Sequence, residues 1–281
     1  MSFDFQKIDR RKLLYVIQLI VMSVPLIYPI AIPLPIDKYS RGYHEAIEAV
    51  PEGSVVGYCN FISGGQWPLL ESGAKRTAVR LWEKDCKIVF FAFADVGVPF
   101  IDLIIEEAIQ IYESRNPGET IEYDVDYVRL GYIAGLETGF AEFLRDMKGL
   151  VTNDYFGTPT ASLKMLENVN TGNDIPFMVW AESGTPAPYG IRQYQQTYGG
   201  TMVEIVVGML LPTISIYFET GQVAGAILGS SGCAQYEYLS GMPGPALRLV
   251  NALSLTTLMV LIALIVGNIE HLYGVIKGGR R

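Results

Sequence analysis

The chain has 281 residues, enough for one large domain or two small ones. Half of its residues are hydrophobic and its formal net charge is −8. A mean hydropathy of +0.27 is high for a soluble enzyme and low for a polytopic transporter, which points to a globular body with a few apolar spans. The acidic pI of about 4.9 excludes an ordinary nucleic-acid binder, which needs clustered Lys and Arg to displace phosphate counterions.

The charge is unevenly placed. Lys7, Arg10, Arg11 and Lys12 precede a nearly unbroken apolar run from Leu13 to about Ile36, and Lys277, Arg280 and Arg281 follow a second run, Leu249–Gly267. A spanning helix needs about 20 apolar residues, and Leu13–Ile32 and Leu249–Gly267 both meet that length. In the first, Gln18 is the one strongly polar side chain, and Pro25, Pro29, Pro33 and Pro35 predict a kinked helix that leaves the bilayer as an extended neck. The run is too long for a signal-peptide core and no small-x-small cleavage site follows it, so it reads as an uncleaved anchor. In the second, Asn251, Ser254, Thr256 and Thr257 can bond to the other helix or to their own backbone.

The positive-inside rule then places both termini in the cytoplasm, with Lys38, Arg41 and Arg248 opposing the bias weakly. The expected organisation is a tail and transmembrane helix over 1–36, an extracytoplasmic domain over 37–246, and a second transmembrane helix and tail over 247–281. Between the runs 14 basic residues face 26 acidic ones, so the body should stand off from anionic lipid.

Within the body, strand-like runs alternate with amphipathic segments. Ser54–Phe61 is a first strand, Leu69–Glu83 a helix, and Lys87–Ala94 a strand apolar on both faces, as central parallel strands are. Phe100–Ser114 carries a helical stripe at Ile101, Ile104, Ile105, Ala108 and Ile111. Tyr127–Tyr132 is a third strand, Gly135–Met147 a helix and Pro159–Glu167 a short one. Pro176–Ala181 is a fourth strand, Tyr189–Tyr198 a helix, and Met202–Gly208 a fifth strand. The apolar run Ile205–Phe218, broken by Gly208 and Pro212, reads as buried strand and loop, and Gln222–Leu239 as a helix with a glycine-rich start. The alternation predicts an α/β fold with a doubly wound, mostly parallel sheet, Rossmann-like or flavodoxin-like, flanked by the two transmembrane helices.

In such sheets ligands bind beyond the carboxyl ends of the strands. Those ends hold Asn60, Ser63, Gly64 and Gly65 after the first strand, Asp95 and Gly97 after the second, Tyr132 and Gly135 after the third, and Glu182, Ser183, Gly184 and Thr185 after the fourth. Asn60, Ser63, Gly64, Gly65, Asp95, Glu182, Ser183 and Thr185 are the ligand-binding candidates, although short βα loops are rich in Gly and Ser without any ligand. Asp95 and Glu182 form a candidate acid/base pair at neighbouring strand ends. Ser63 and Ser183 lack a nearby base, since His44 precedes the first strand, and no GxSxG elbow is present.

No GxGxxG follows the first strand and no GxxxxGK[ST] occurs, so no nucleotide cradle is predicted, and without a CxxC pair a zinc knuckle is not expected. No cofactor or metal is expected. Cys59 and Cys86 are either buried thiols or a disulfide between neighbouring strands. Gly221, Gly225, Gly229 and Gly232 lie on one face if their segment is helical, which favours close packing within the fold or between subunits over anion binding at a helix start. Tyr189, Tyr194, Tyr198, Tyr217, Tyr236 and Tyr238 crowd the last third and suit an interface.

The strings DYVRLGYIAGLETG (Asp126–Gly139), FGTP (Phe156–Pro159), SGTP (Ser183–Pro186) and GQVAGAILGSSGCAQYE (Gly221–Glu237) resemble those of a family of membrane-anchored prokaryotic α/β proteins of unknown activity, over most of residues 50–240. That resemblance implies a unified domain and assigns no catalytic residue. Three expectations stay open. The first is a non-enzymatic membrane-anchored subunit or scaffold of a larger envelope assembly, with the lipid bilayer and either further copies of itself or other membrane-complex subunits as partners, and no nucleic acid. The second is a tethered protein that binds a small-molecule ligand at the strand ends. The third is a carboxylate-based hydrolase or transferase using Asp95 and Glu182.

Overall fold

The structure is a computed structural model that describes residues 10–28, 34–184 and 187–278. It divides into two units. One holds the chain ends, Met1–Leu34 and Pro243–Arg281, and the other is the body, Pro35–Met242.

In chain order, α1 (Arg10–Ile27) belongs to the first unit. The body begins with α2 (Lys38–Glu48), then β1 (Val55–Phe61), α3 (Trp67–Trp82), β2 (Lys87–Ala92), α4 (Val98–Arg115) and β3 (Tyr127–Tyr132). It continues with α5 (Leu136–Arg145), α6 (Met147–Leu150), β4 (Phe177–Glu182), α7 (Ala187–Gly190), a π-helical turn Ile191–Gln195, and α8 (Gln196–Tyr198). It ends with β5 (Thr201–Val206), α9 (Leu211–Glu219), β6 (Gly225–Leu228) and α10 (Gly229–Leu239), and α11 (Pro245–Gly278) returns to the first unit.

The six strands form one all-parallel sheet in the order β3-β2-β1-β4-β5-β6. This is the doubly wound order of dinucleotide-binding sheets, in which the winding reverses between β1 and β4. Helices cover the sheet on both faces, so the central strands are mostly apolar, with Asn60, Glu182 and Glu204 the buried polar exceptions. On one face Cys59, Phe61, Phe91, Phe93 and Trp180 pack with Phe140 and Phe143 of α5 and Tyr194 of the π turn. On the other, α2, α3, α4 and α10 pack on one another and the sheet, with Tyr58 donating to the Ala74 carbonyl at 3.0 Å and Tyr43 paired with Thr77 at 2.7 Å.

Several expectations change. The stretch before β1 is a helix, α2, whose N-cap Asp37 accepts from Ser40 N at 2.7 Å, rather than a continuation of the extended neck. Ile205–Phe218 is not strand and loop. β5 stops at Val206, and Pro212 opens α9 at a position where its missing N–H costs no helix bond. Pro159–Glu167 contains two 3₁₀ turns.

The glycine stripe is also corrected. Gly221, Gly225, Gly229 and Gly232 do not share a helix face, because β6 intervenes and Gly221 and Gly229 take positive φ of 74° and 59°, which a continuous helix excludes. Gly225 instead serves internal packing. A Cβ there would lie 1.9 Å from Tyr43 N, so its absence lets α2 sit directly on β6. The tyrosine cluster divides likewise, with Tyr194 and Tyr236 fully buried and Tyr238 exposed. All three cysteines are free and buried. The pairing of Val55 with Lys87 and of Cys59 with Phe91 puts Cys86 and Cys59 at opposite ends of the β1–β2 ladder.

In the first unit, Pro245–Ile269 within α11 is long and apolar enough to cross a membrane by length and composition, with a mean hydropathy of 2.5. The apolar part of α1, Lys12–Ile27, is shorter than the predicted Leu13–Ile32, and residues 29–33 lie outside the described residues. α1 lies beside α11, with Leu13, Leu14 and Ile17 facing Met259, Ile262 and Val266 across an apolar groove.

Candidate functional site

β1 and β4 are neighbours, and the chain leaves them toward opposite faces of the sheet, so their carboxyl ends open into a crevice. The β1–α3 loop carries Ser63, Gly64 and Gly65, and the segment after β4 carries Ser183 and Gly184. A cavity of about 300 Å³ lies here, lined by Phe61, Ala94, Val96, Leu136, Ser183 and Tyr189. Its rim includes the β3–α5 connection, where Gly135 and Leu136 hold φ of 104° and 47°. A leucine in the left-handed region is strained, and such residues gather where a loop is shaped by something other than local preference.

The polar groups of this crevice largely serve one another. Ser183 Oγ accepts from Ser63 N at 3.0 Å, lies 3.1 Å from Ser63 Oγ and donates to the Phe61 carbonyl at 3.2 Å. One hydroxyl thereby ties the two loops together across the winding reversal. Asn60 is fully buried and its Nδ2 donates to the Gly97 carbonyl at 2.8 Å, a brace between β1 and the turn after β2 rather than a ligand contact. Gly64 and Gly65 are exposed, with open space around Gly65. Thr185 lies outside the described residues. Among the described residues neither serine hydrogen-bonds to a histidine. His44 sits in α2 beside Glu48 and Tyr236.

Glu182 ends β4 and is fully buried, with Trp180 Nε1 donating to its Oε2 at 3.1 Å. The register pairs Trp180 with Glu204 and Glu182 with Val206, so the two glutamates lie diagonally on one face of adjacent strands. Glu204 is fully buried, and neither of its carboxyl oxygens has a hydrogen-bond partner among the described residues. Burial, and then the charge of Glu182, push its pKa well above the usual carboxylate range, which favours the protonated form. The same two causes raise the Cys59 thiol.

Asp95 is placed elsewhere. It is exposed, its Oδ1 accepts from Val96 N at 2.8 Å, and it lines a separate cavity of about 440 Å³ at the ends of β2 and β3. Asp95 is exposed whereas Glu182 is fully buried, so the expected acid/base pair stands in two unlike environments. No group of three or more His, Cys, Asp or Glu among the described residues is arranged to hold a metal ion. Sequence reasoning missed Glu204 and Arg129. Each is a lone charged residue inside an otherwise apolar strand (MVEIVV and YVRLGY), and that interruption is the signal that could have found them. Family models, curated proteins and solved structures return no match to the chain.

Proposed function

We propose that the chain is a membrane-anchored, non-enzymatic subunit of a larger envelope assembly, which presents its α/β body outside the cytoplasm. The observation that carries this reading is the apolar stretch Pro245–Ile269 of α11, most of which is not buried. Such a helix exposes a run of Leu, Ile and Val side chains that water does not tolerate and a bilayer does. The apolar side of α1 beside it supplies a second anchoring segment, and the basic residues at both chain ends favour a cytoplasmic side for both tails. On the body, Met209 at 79% exposure and Ile216 at 63% supply apolar surface suited to a partner subunit.

The test uses the buried state of the three native cysteines, which leaves an introduced thiol as the one readily labelled group. Thr120→Cys, on an exposed loop, should react with a membrane-impermeant maleimide in intact cells, and the chain should remain in the membrane fraction after alkaline carbonate extraction. Extraction into the soluble fraction would remove the anchor. Labelling only after permeabilisation would reverse the orientation. Crosslinking in the native membrane that yields only the monomer would remove the assembly.

A second reading, a tethered small-solute-binding protein, is favoured by the cavity at the β1–β4 crevice. Ligand-dependent stabilisation of the full chain that is lost in Ser183→Ala would support it over the first.

A further inference from the structure

The cavity at the ends of β2 and β3 is built by an irregularity in the edge strand. β2 pairs with β3 as Phe90 with Arg129, then Phe91 with Gly131 and Ala92 with Tyr132, so Leu130 is an extra residue. In a regular strand residues three apart point to opposite faces. Here Arg129 and Tyr132 pair with Phe90 and Ala92, two apart on β2, so the bulge puts both on the same face. Gly131 takes φ of 82° at the bulge and leaves room for Tyr155, whose ring lies 3.2 Å from where a Cβ would be.

Around this bulge the polar groups brace one another and still border open space. The Arg129 side chain is 2% exposed and ion-pairs with Asp102 of α4, while its Nη2 donates to the Val98 carbonyl at 3.3 Å. Its guanidinium lies 3.3 Å from the ring centroid of Tyr155, and its Nε has no partner among the described residues. Tyr155 is fixed from behind. Its backbone N donates to the Arg129 carbonyl at 2.9 Å, and Asp154 Oδ1 accepts from Phe156 N and Thr158 N. Yet Tyr155 and Tyr132 stay 49% and 53% exposed, and Asp95 and Asp102 bring two carboxylates to the same walls.

This donor and acceptor set selects a ligand class. Two carboxylates around one guanidinium repel a simple anion, and the buried guanidinium disfavours a bare cation. Sugar hydroxyls both donate and accept. They can give protons to Asp95 and to Asp102, whose carboxylate Arg129 holds in place, while the apolar C–H face of the ring lies on tyrosine. The volume falls within the range of small-ligand clefts, roughly 300–1,000 Å³. We infer that Asp95, Asp102, Arg129, Tyr132 and Tyr155 form a carbohydrate-binding site, separate from the β1–β4 crevice. The inference does not depend on how the chain is anchored.

The experiment takes the full chain in lipid nanodiscs, free of sugar-headed detergent, and measures saturation-transfer NMR with glucose, galactose, mannose, N-acetylglucosamine and maltose. Spermidine, alanine and methyl phosphate serve as cationic, zwitterionic and anionic comparisons, each with C–H protons that can receive transfer. The expected result is transfer to the C–H protons of at least one sugar, with affinity reduced about tenfold or more in both Tyr132→Ala and Asp95→Asn. Both positions are exposed, so an unchanged melting temperature shows that the fold survives. The exposed Glu113→Gln should leave binding unchanged. The inference is overturned if no sugar receives transfer, if binding is indifferent to both substitutions, or if only the charged comparison compounds bind.

Discussion

The two ends of the sheet's ligand edge handle polar groups in opposite ways. At the β1–β4 crevice, where the fold's winding predicts a site, the serines bond to each other and the glutamates are buried beneath the opening. At the β2–β3 end, where the winding predicts nothing, Arg129 is braced by Asp102 and Tyr155 while carboxylates and tyrosine rings face open space. The difference teaches that topology fixes where a crevice forms, whereas its chemistry depends on whether neighbouring backbone and side chains have already used the polar atoms. A single extra residue in an edge strand counts for more here than the reversal of winding.

The largest effect that sharpens this contrast is expected at Glu204. The folded chain binds the Glu204 proton more tightly than the unfolded chain does, because burial and Glu182 raise its pKa. That contribution is complete below the ordinary value near 4.5 and is lost as pH rises from there through the raised folded value. Melting temperature should therefore fall with rising pH across this window, and Glu204→Gln, which holds no titratable proton, should flatten the slope. An unchanged slope in the variant would mean that Glu204 is ionised in the fold.

Next in size is Asp102→Ala, which leaves the buried Arg129 guanidinium without its carboxylate and should cost about 2–3 kcal/mol by urea denaturation, less than for a fully buried pair because Asp102 is 40% exposed. Adding Arg129→Met should recover part of that loss, since the uncompensated charge is then gone. Strictly additive losses would show that Asp102 holds Arg129 by nothing more than proximity.

The sheet was legible in the sequence because its signal is local. Runs such as Lys87–Ala92 and Phe177–Glu182 must be apolar on both faces, and their boundaries follow from the Gly, Pro and Asp residues that flank them. β6 was not legible, since four residues, GAIL, set among glycines carry the pattern of a helix start as well as of a strand. α2 was hidden behind the prolines that precede it, although Asp37 marks its cap. The strand-end loops of the candidate site could be read, but the use of each hydroxyl could not, because Ser63 and Ser183 meet across 120 residues of chain. The bulge at Leu130 leaves one local trace, Gly131 inside the strand, but which residue is extra is defined only against the partner strand.

The smallest effect is the one that separates the two cavities most directly. Ser183→Ala removes an acceptor for Ser63 N and a donor to the Phe61 carbonyl, both partly buried, and should cost about 1 kcal/mol. If the crevice is closed by its own hydrogen bonds, that loss frees the β1–α3 loop, and amide exchange should quicken at Ser63 and its neighbours while Arg129 and Tyr132 stay unchanged. If the serine pair instead stands ready for a solute, the loop is held by its remaining backbone bonds, Gln66 N and Trp67 N to the Ser63 carbonyl at 3.0 Å each, and exchange at Ser63 should barely move. A crevice that loosens has served the fold. One that stays rigid after losing its central hydroxyl has polar atoms to spare for a ligand.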